Sequence, residues 1–407
     1  MNKLTFAALA RGLCIDLSGK PQIVHYDDKT QTLMPSGAMR VAIAPNENEE
    51  STALVMCKAY ENWKTSAAEG VPGDDKVLLP SCIALCVNDK PQALYWIDED
   101  LDSAGKRFSD RNASPRTELA PRQEPLIKAE ERANVVKNRV ALVTGGAQGI
   151  GAEIVRNLAA GGALVFIADM NFEGANKLAD EINAAEGRTA ALAIQVNVCD
   201  EASVEKMFNT VTEMTGGLDL CVSNAGVLKA GSVLEQELAD FKFVTDINYT
   251  GFFVITKYAG RLLRAQHHAA PSWKTDIVQI NSKSGLEGSN KNGAYAGGKF
   301  GGIGLVTSFA KELVEYNIKV NALCPGNFLD GPLWSHPENG LFVQYLKAGK
   351  VPGAKTVADV RSFYEAMVPM KRGCTGKDLT RALYYIVEQE YETGQAIPVT
   401  GGQVMLH

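Results

Sequence analysis

The sequence predicts an α/β protein: a doubly wound parallel sheet over residues 137–407, preceded by a small α+β unit. Three observations carry that prediction. From Asn138 onward, apolar strand-like runs alternate with helix-length amphipathic stretches, the pattern of a parallel sheet covered on both faces. The first of these runs feeds a helix through a glycine loop, VTGGAQGIG. Residues 104–136 hold three prolines, many charges and few large apolar side chains, and so divide the two parts.

Composition narrows the classes. At 407 residues the chain exceeds one ordinary domain. With 45% apolar and 22% charged residues it reads as a soluble globular protein, and no run approaches the length of a membrane span. A net charge of −6 provides no basic field, so neither nucleic acid nor membrane is an expected partner. The start, MNKLTFAALARGLC, has a short apolar run interrupted by Arg11 and no small-residue cleavage site; it is expected to be mature protein and a first strand. Eight cysteines lie mostly in apolar runs without paired spacing, and five histidines do not cluster. A reducing cytoplasm and no metal are the expectations.

Taken in order, residues 1–103 contain two hairpin-like pairs, LCIDL and QIVHYD around SGKP, then VLLPSCIALCV and ALYWI around NDKP. Between them EESTALVMCKAYENW is an amphipathic helix. This unit shows no nucleophile, metal-ligand spacing or phosphate loop, which leaves a degenerate partner domain, an oligomerisation module or a cap over a neighbouring subunit's site. Residues 104–136 read as a linker or extended arm leading into a helix-like segment. The strands that follow are RVALVT, ALVFIAD, AALAIQV, LDLCVS, DIVQIN and IKVNAL.

Between the first strand and its helix, Gly145, Gly149 and Gly151 let backbone approach a pyrophosphate at the helix N-terminus. A tight turn alone would explain one or two of these glycines. The second strand ends in Asp169, 24 residues after Gly145, where a carboxylate accepts from the adenosine ribose hydroxyls. Neither Gly146, Ala147 and Gln148 nor Met170 and Asn171 offers a cation for a 2′-phosphate, which favours NAD over NADP.

Tyr295 and Lys299, at i and i+4 in GAYAGGKFGG, share a helix face. A half-buried Tyr beside a surface Lys is the usual explanation of such a pair. Ser282, however, stands thirteen residues before the Tyr at the end of an apolar strand. A phenol titrates near ~10, too high for an efficient base near neutrality, and a nearby ammonium favours the phenolate.

In order along the chain stand TGxxxGxG from Thr144 to Gly151, SNAG at 223–226, Asn248 in INYTG, Ser282 in INSKSG, Tyr295, Lys299, Pro325-Gly326 and TGQAIPVTGG. This series resembles the short-chain dehydrogenase/reductase family over residues 137–407. The resemblance implies a Rossmann fold and an NAD-dependent oxidoreductase interconverting a secondary alcohol and a ketone. It implies Tyr295 as acid/base, Lys299 as its activator and ribose ligand, Ser282 as the hydroxyl that orients the substrate oxygen, and Asn248 in a water relay to Lys299. Cofactor contacts are implied at Gly145, Gln148, Gly149, Ile150, Gly151, Asp169, Asn197, Val198, Asn224, Ala225, Gly226, Pro325 and Gly326. Two positions depart: Asn197 stands where an acid beside the adenine is usual, and Gly331 where a Thr is common. A homo-oligomer, dimer or tetramer, is also implied.

The glycines at 297, 298, 301 and 302 would let this helix pack against the cofactor or a partner helix despite their low helix propensity. Lys283, Lys371 and Arg372 are cations in segments expected to border the cleft, suited to a phosphorylated substrate; solvated surface charge is the alternative. Residues 327–370 correspond to a substrate lid, where Phe328, Trp334, Phe342 and Tyr345 line a pocket or hold the lid's own core, the commoner role. A polyol or sugar phosphate is the expected substrate, with an unphosphorylated polyol or another acidic sugar as alternative. A nucleotide-sensing regulatory protein is the reading from another class; the Ser, Tyr and Lys together argue against it, since a sensor needs no acid/base pair.

Overall fold

The computed structural model describes residues 2–27, 34–44, 47–67, 76–88, 90–119, 134–338, 340–347, 349 and 351–405. The first part runs α1 (Lys3–Ser18), β1 (Ile23–Asp27), β2 (Met39–Ile43), α2 (Glu49–Ala67), β3 (Lys76–Leu79), β4 (Cys82–Val87), β5 (Lys90–Asp98), α3 (Leu101–Asp110) and β6 (Arg116–Leu119). Four of its strands form a mixed sheet in the order β1-β5-β4-β2, and β3 pairs with β6. The expected β4–β5 hairpin and the amphipathic α2 are both present.

The expected first strand is instead the helix α1. Asn2 caps it by accepting the Leu4 N–H at 2.9 Å, and Gly19, with φ of +66°, closes it in the left-handed conformation. LCIDL is therefore the last turns of a helix, and no hairpin joins it to β1. Phe6 through Ile15 are all buried, between the mixed sheet and helices of the second part, so the run carries no amphipathic period to separate helix from strand.

The charge-rich stretch is not a free arm over its first half. Residues 104–110 finish α3, which Asp100 caps by accepting the Ser103 N–H at 2.8 Å, and 116–119 form β6. Its charges pair inward, Arg107 and Arg116 on Asp98 and Arg111 on Asp27. Composition shows those charges without their partners. Residues 120–133 of the expected linker lie outside the described residues.

The second part runs β7 (Val140–Thr144), α4 (Gly149–Ala160), β8 (Leu164–Asp169), α5 (Phe172–Glu186), β9 (Ala191–Gln195), α6 (Glu201–Thr215) and β10 (Leu220–Ser223). It continues with α7 (Leu238–Thr245), α8 (Gly251–His267), β11 (Thr275–Ile280), α9 (Gly293–Leu313) and β12 (Ile318–Pro325). α10 (Pro332–Ser335), α11 (Leu341–Lys347), α12 (Val357–Ala366), α13 (Gly376–Glu388) and β13 (Ala396–Val399) complete it. The seven strands are parallel in the order β13-β12-β11-β10-β7-β8-β9, a Rossmann sheet. Leu142, Phe166, Phe252 and Val306 belong to a core on one face; Val143, Ile167, Leu158 and Leu383 belong to a core on the other. The order reverses between β7 and β10, so a crevice opens at the C-terminal ends of those strands.

The N-terminal unit meets the opposite edge. α1 packs against α6 and α8, and a Cβ at Gly12 would lie 2.5 Å from the Gln266 carbonyl oxygen, so the helices cross in close contact. Ile23 and Ala104 are buried in the same core as Leu142 and Phe166. Among the described residues no helix is long and apolar enough to cross a membrane.

Candidate active site

The glycine loop between β7 and α4 is held by what surrounds it. Gly145 and Gly149 adopt φ of +61° and +58°, conformations L side chains rarely adopt. A Cβ at Gly151 would fall 2.2 Å from the Gly145 carbonyl oxygen and 2.6 Å from Asn224 Nδ2. Gln148 sits at the α4 N-cap without a side-chain capping bond, and Ile150 lies in the helix's first turn. The uncapped helix N-terminus and the open space beside Gly149, bounded by Pro332 at 3.6 Å from an ideal Cβ, fit a pyrophosphate.

Across the switch point, Thr144 laces the two strands together. Its buried hydroxyl oxygen accepts the N–H groups of Asn224 and Ala225, each at 3.0 Å, while Asn224 Nδ2 donates to the Thr144 and Gly145 carbonyls, each at 2.9 Å. Thr144 opens the TGxxxGxG series, but its role depends on the SNAG turn of another strand and so gives no local signal. Asp169, at the end of β8, accepts from the N–H groups of Ala147 and Asn171, both at 2.9 Å, and thereby fixes the loop. Asn197 turns its carboxamide oxygen onto the Cys199 N–H at 3.1 Å, and Val198 is buried against Gly251. Pro325 ends β12 beside β13, and the N–H of the following Gly326 donates to the Val399 carbonyl at 2.9 Å. Gln403 reaches the same turn, its Oε1 accepting the Asn327 N–H at 3.1 Å.

Ser282, Tyr295, Lys299 and Asn248 converge at this edge. Lys299 is buried, with Nζ 5.6 Å from the centre of the Tyr295 ring and donating to the Ile280 carbonyl at 2.8 Å. An ideal Cβ on Gly226 would stand 3.7 Å from that Nζ and 3.1 Å from Asn248 Oδ1, which joins the SNAG turn to the lysine. Asn248 lies in a π-helical turn, Asp246–Thr250, and both ends of its carboxamide are held by the Val227 backbone at 2.8 Å. The Ser282 hydroxyl accepts the Ser284 N–H at 3.1 Å, which leaves its own proton available to the Tyr295 phenol, whose pKa it draws down.

Burial raises the Tyr295 phenol above its ordinary value, and the Ser282 hydrogen bond pulls it partly back. Ser282 is the group that pulls the phenol down, and the Lys299 ammonium stands 5.6 Å from the centre of the same ring. Burial also lowers the Lys299 ammonium, to about 8, so that it remains mainly protonated at neutral pH.

Three of the glycines of α9, Gly298, Gly301 and Gly302, meet neighbours inside the subunit. A Cβ at Gly301 would lie 2.8 Å from the Tyr249 ring, at Gly302 2.5 Å from Gln279 Nε2, and at Gly298 3.6 Å from the Asn248 Cβ; Gly297 faces open space. Of the four, Gly301 and Gly302 are required by close packing on Tyr249 and Gln279 rather than by a cofactor or partner helix.

Of the three candidate phosphate cations, two have partners of their own. Lys371, at φ of +58°, donates from Nζ to the Ala366 carbonyl at 2.8 Å and closes α12. Arg372 grips Asp378 with both terminal nitrogens, at 2.5 and 2.9 Å, and that hydrogen-bonded guanidinium holds the Asp378 carboxyl down at about 2. Lys283 is part-buried in the turn directly after Ser282. Within 327–370, Leu329, Trp334, Leu341, Phe342, Val351 and Val360 form a separate core with Tyr345 packed on it, so the aromatics other than Phe328 hold the lid together. Phe328 explains Gly331, where a Cβ would lie 2.4 Å from its ring.

Comparison with known proteins agrees with this geometry. Residues 139–335 match the model of the short chain dehydrogenase family. The chain is 38% identical over 271 residues to the sorbitol-6-phosphate 2-dehydrogenase of Escherichia coli (strain K12), spanning 66% of this chain and 99% of that one. It is 30% identical over 255 residues to the meso-2,3-butanediol dehydrogenase of Serratia marcescens, covering 59% of this chain and 96% of the relative. The crystal structure of sorbitol-6-phosphate 2-dehydrogenase from Erwinia amylovora superposes with a TM-score of 0.60 at 39% identity, over 65% of this chain and all (100%) of that one.

Proposed function

The chain belongs to the short-chain dehydrogenase family and is an oxidoreductase acting on CH–OH groups with a nicotinamide cofactor; from that premise we propose that it interconverts sorbitol 6-phosphate and fructose 6-phosphate with NAD. The observation that carries the chemistry is the convergence of Ser282, Tyr295 and Lys299 beside the glycine loop. In the oxidative direction the substrate hydroxyl gives its proton to the Tyr295 phenolate oxygen as the C–O bond becomes a carbonyl. A bound nicotinamide would supply the acceptor for the hydride from the same carbon. Ser282 donates to the substrate oxygen and holds it beside the phenol, and the Lys299 ammonium favours the phenolate. Asn248 fixes the SNAG turn against the lysine. This gathering of an acid/base pair also argues against a purely regulatory role.

NAD rather than NADP is supported by Asp169, whose carboxylate would repel a 2′-phosphate, with no Arg or Lys among residues 145–148 and 170–171. Lys283 supports the phosphorylated substrate. It is the candidate cation adjacent to Ser282, whereas Lys371 and Arg372 have structural duties; Arg372 nonetheless lines a cavity of about 370 Å³ with Thr400 and Gly401. A homo-oligomer belongs to the same reading, supported by exposed Leu238, Phe241, Phe253 and Phe300 on α7, α8 and α9. The test is kcat/KM for sorbitol 6-phosphate against sorbitol, each with NAD and with NADP. A preference of at least about 10²-fold for the phosphorylated polyol with NAD is expected, of the size charge recognition can supply. Equal turnover of both polyols would remove the phosphate from the reading, and a preference for NADP would remove Asp169 as the selector.

A further inference from the structure

Asn281, the residue before Ser282, was not a candidate on the sequence, yet its side chain lies between the elements of the site. It is buried, 2% exposed, at the end of β11. Its carboxamide oxygen accepts the Ser282 N–H at 2.8 Å, and its nitrogen donates to the Lys299 carbonyl at 2.9 Å and to Gln279 Oε1 at 2.7 Å. Two acceptors and one donor around one carboxamide permit a single orientation of that group, with both N–H bonds and the oxygen engaged. Its own backbone N–H donates to the Leu323 carbonyl at 2.7 Å.

The surroundings are shaped to this side chain. A Cβ at Gly285 would lie 2.2 Å from Asn281 Oδ1 and 3.1 Å from the Lys299 carbonyl, so glycine there leaves room for the bridge. Gly302 does the same for Gln279, the second carboxamide of the pair. On the other side, Lys299 Nζ donates to Ile280, so strand and helix are joined twice at one helical residue.

We infer that Asn281 is a positioning residue that sets the distance between the Ser282 hydroxyl and the Tyr295–Lys299 face of α9, by bridging the Ser282 N–H to the Lys299 carbonyl. It touches no reacting atom. It acts through the placement of the Ser282 hydroxyl against the Tyr295 phenol, which depends on where the end of β11 stands relative to α9. The groups facing the phenol from the elements packed around it are Ser282, Lys299 and the Cys324 thiol of β12. Lengthening the Ser282 contact removes the influence that draws the phenol down.

This inference rests on the dehydrogenase reading, and its test separates the two. Asn281→Ala and Asn281→Ser are compared with wild type for kcat, for KM of NAD and of sorbitol 6-phosphate, and for the pH profile of kcat/KM. Hydrogen exchange of the peptide spanning Ser282 and Gly285 is read in the same proteins. The expectation for Asn281→Ala is a kcat about 10- to 100-fold lower, the cost of a misplacement near 1 Å, with KM for NAD within about threefold and the alkaline-rising limb moved to higher pH. Asn281→Ser, which keeps a short polar group, recovers part of the loss, and exchange at Ser282 accelerates in both. Gly285→Ala, which presses on Asn281 from outside, should move the same limb in the same direction even if Asn281→Ala fails to fold. Folded Asn281 variants with an unmoved pH limb, or with Ser282 still protected, overturn the inference. A wild type that turns over no polyol overturns the substrate reading instead, and the exchange measurement still decides the role of Asn281.

Discussion

Arg11 of α1 and Asp219, one residue before β10, form a fully buried two-point salt bridge, with guanidinium nitrogens 3.2 and 2.8 Å from the two carboxylate oxygens. The same carboxylate accepts the Val140 N–H at 2.8 Å and the Trp273 indole N–H at 3.1 Å. Arg11 Nε donates to the Gln22 carbonyl at 2.6 Å. The N-terminal unit is therefore fastened to the N-terminal edge of the parallel sheet, opposite the glycine loop. That placement sets it against the N-terminal ends of its own subunit's strands, and among the described residues it contributes no group to its own subunit's site.

Removing Arg11 leaves Asp219 buried without its hydrogen-bonded guanidinium. Arg11→Ala is expected to destabilise the chain by about 3–5 kcal/mol, the usual cost of breaking a buried pair from one side. Arg11→Met with Asp219→Asn should be milder than Arg11→Ala. Urea unfolding of the three proteins checks the order; a loss under about 1 kcal/mol for Arg11→Ala would place the pair among exposed bridges.

The pH dependence of that loss has a definite sign. Burial would raise the Asp219 carboxyl, but Arg11, with Arg139 and the Val140 N–H, outweighs it and holds the pKa below the ordinary carboxylate value. Its contribution to wild-type stability is thus present above about pH 4 and is lost as pH falls through the folded pKa. In Arg11→Met burial dominates and the folded pKa rises above the unfolded one, so that variant is penalised near neutrality and relieved in acid. The stability gap between the two proteins should narrow from pH 7 toward pH 4; a constant gap would contradict the assignment.

Gly151→Ala drives a Cβ to 2.2 Å from a backbone carbonyl that has no rotamer with which to yield. Overpacking of this kind costs about 1–3 kcal/mol. Because it distorts the loop that receives the pyrophosphate, NADH affinity measured by nicotinamide fluorescence is expected to fall at least about tenfold. An unchanged Kd would show that the loop does not carry the cofactor.

Lys283 and Arg372 separate a recognition charge from a structural one. Lys283→Ala should raise KM for sorbitol 6-phosphate about tenfold or more while leaving thermal stability unchanged. Arg372→Ala frees Asp378, the capping-box residue of α13, and should lower Tm with KM changed less than about threefold. The opposite pattern, with Arg372 governing KM, would move the phosphate into the cavity beside Thr400 and Gly401.

Much of the second part was legible because its signals are local. Strand runs, the glycine loop, Asp169 and the Ser282, Tyr295 and Lys299 spacing are each set by a few neighbouring residues. What was hidden depends on distant partners. α1 reads as a strand because it is buried on every side by elements from both parts. The segment around Arg107 and Arg116 reads as a linker because Asp98 pairs with both only after β5 folds back. Asn281 gives no signal at all, since its carboxamide gains meaning only when the Lys299 carbonyl of α9 is laid across the end of β11. The glycines of α9 stand out in the sequence by their number, but Tyr249 and Gln279, which require two of them, lie on other elements.

The most direct test of the central claim is the initial rate of NADH formation from sorbitol 6-phosphate and NAD by wild type and by Tyr295→Phe, with the product identified. The expected result is fructose 6-phosphate from the wild type and a rate lower by about 10²–10⁴-fold in the variant, with NADH binding retained. A Tyr295→Phe protein that forms NADH at the wild-type rate would contradict it, because the proton would then leave by a route that does not pass through the residue at the centre of the site.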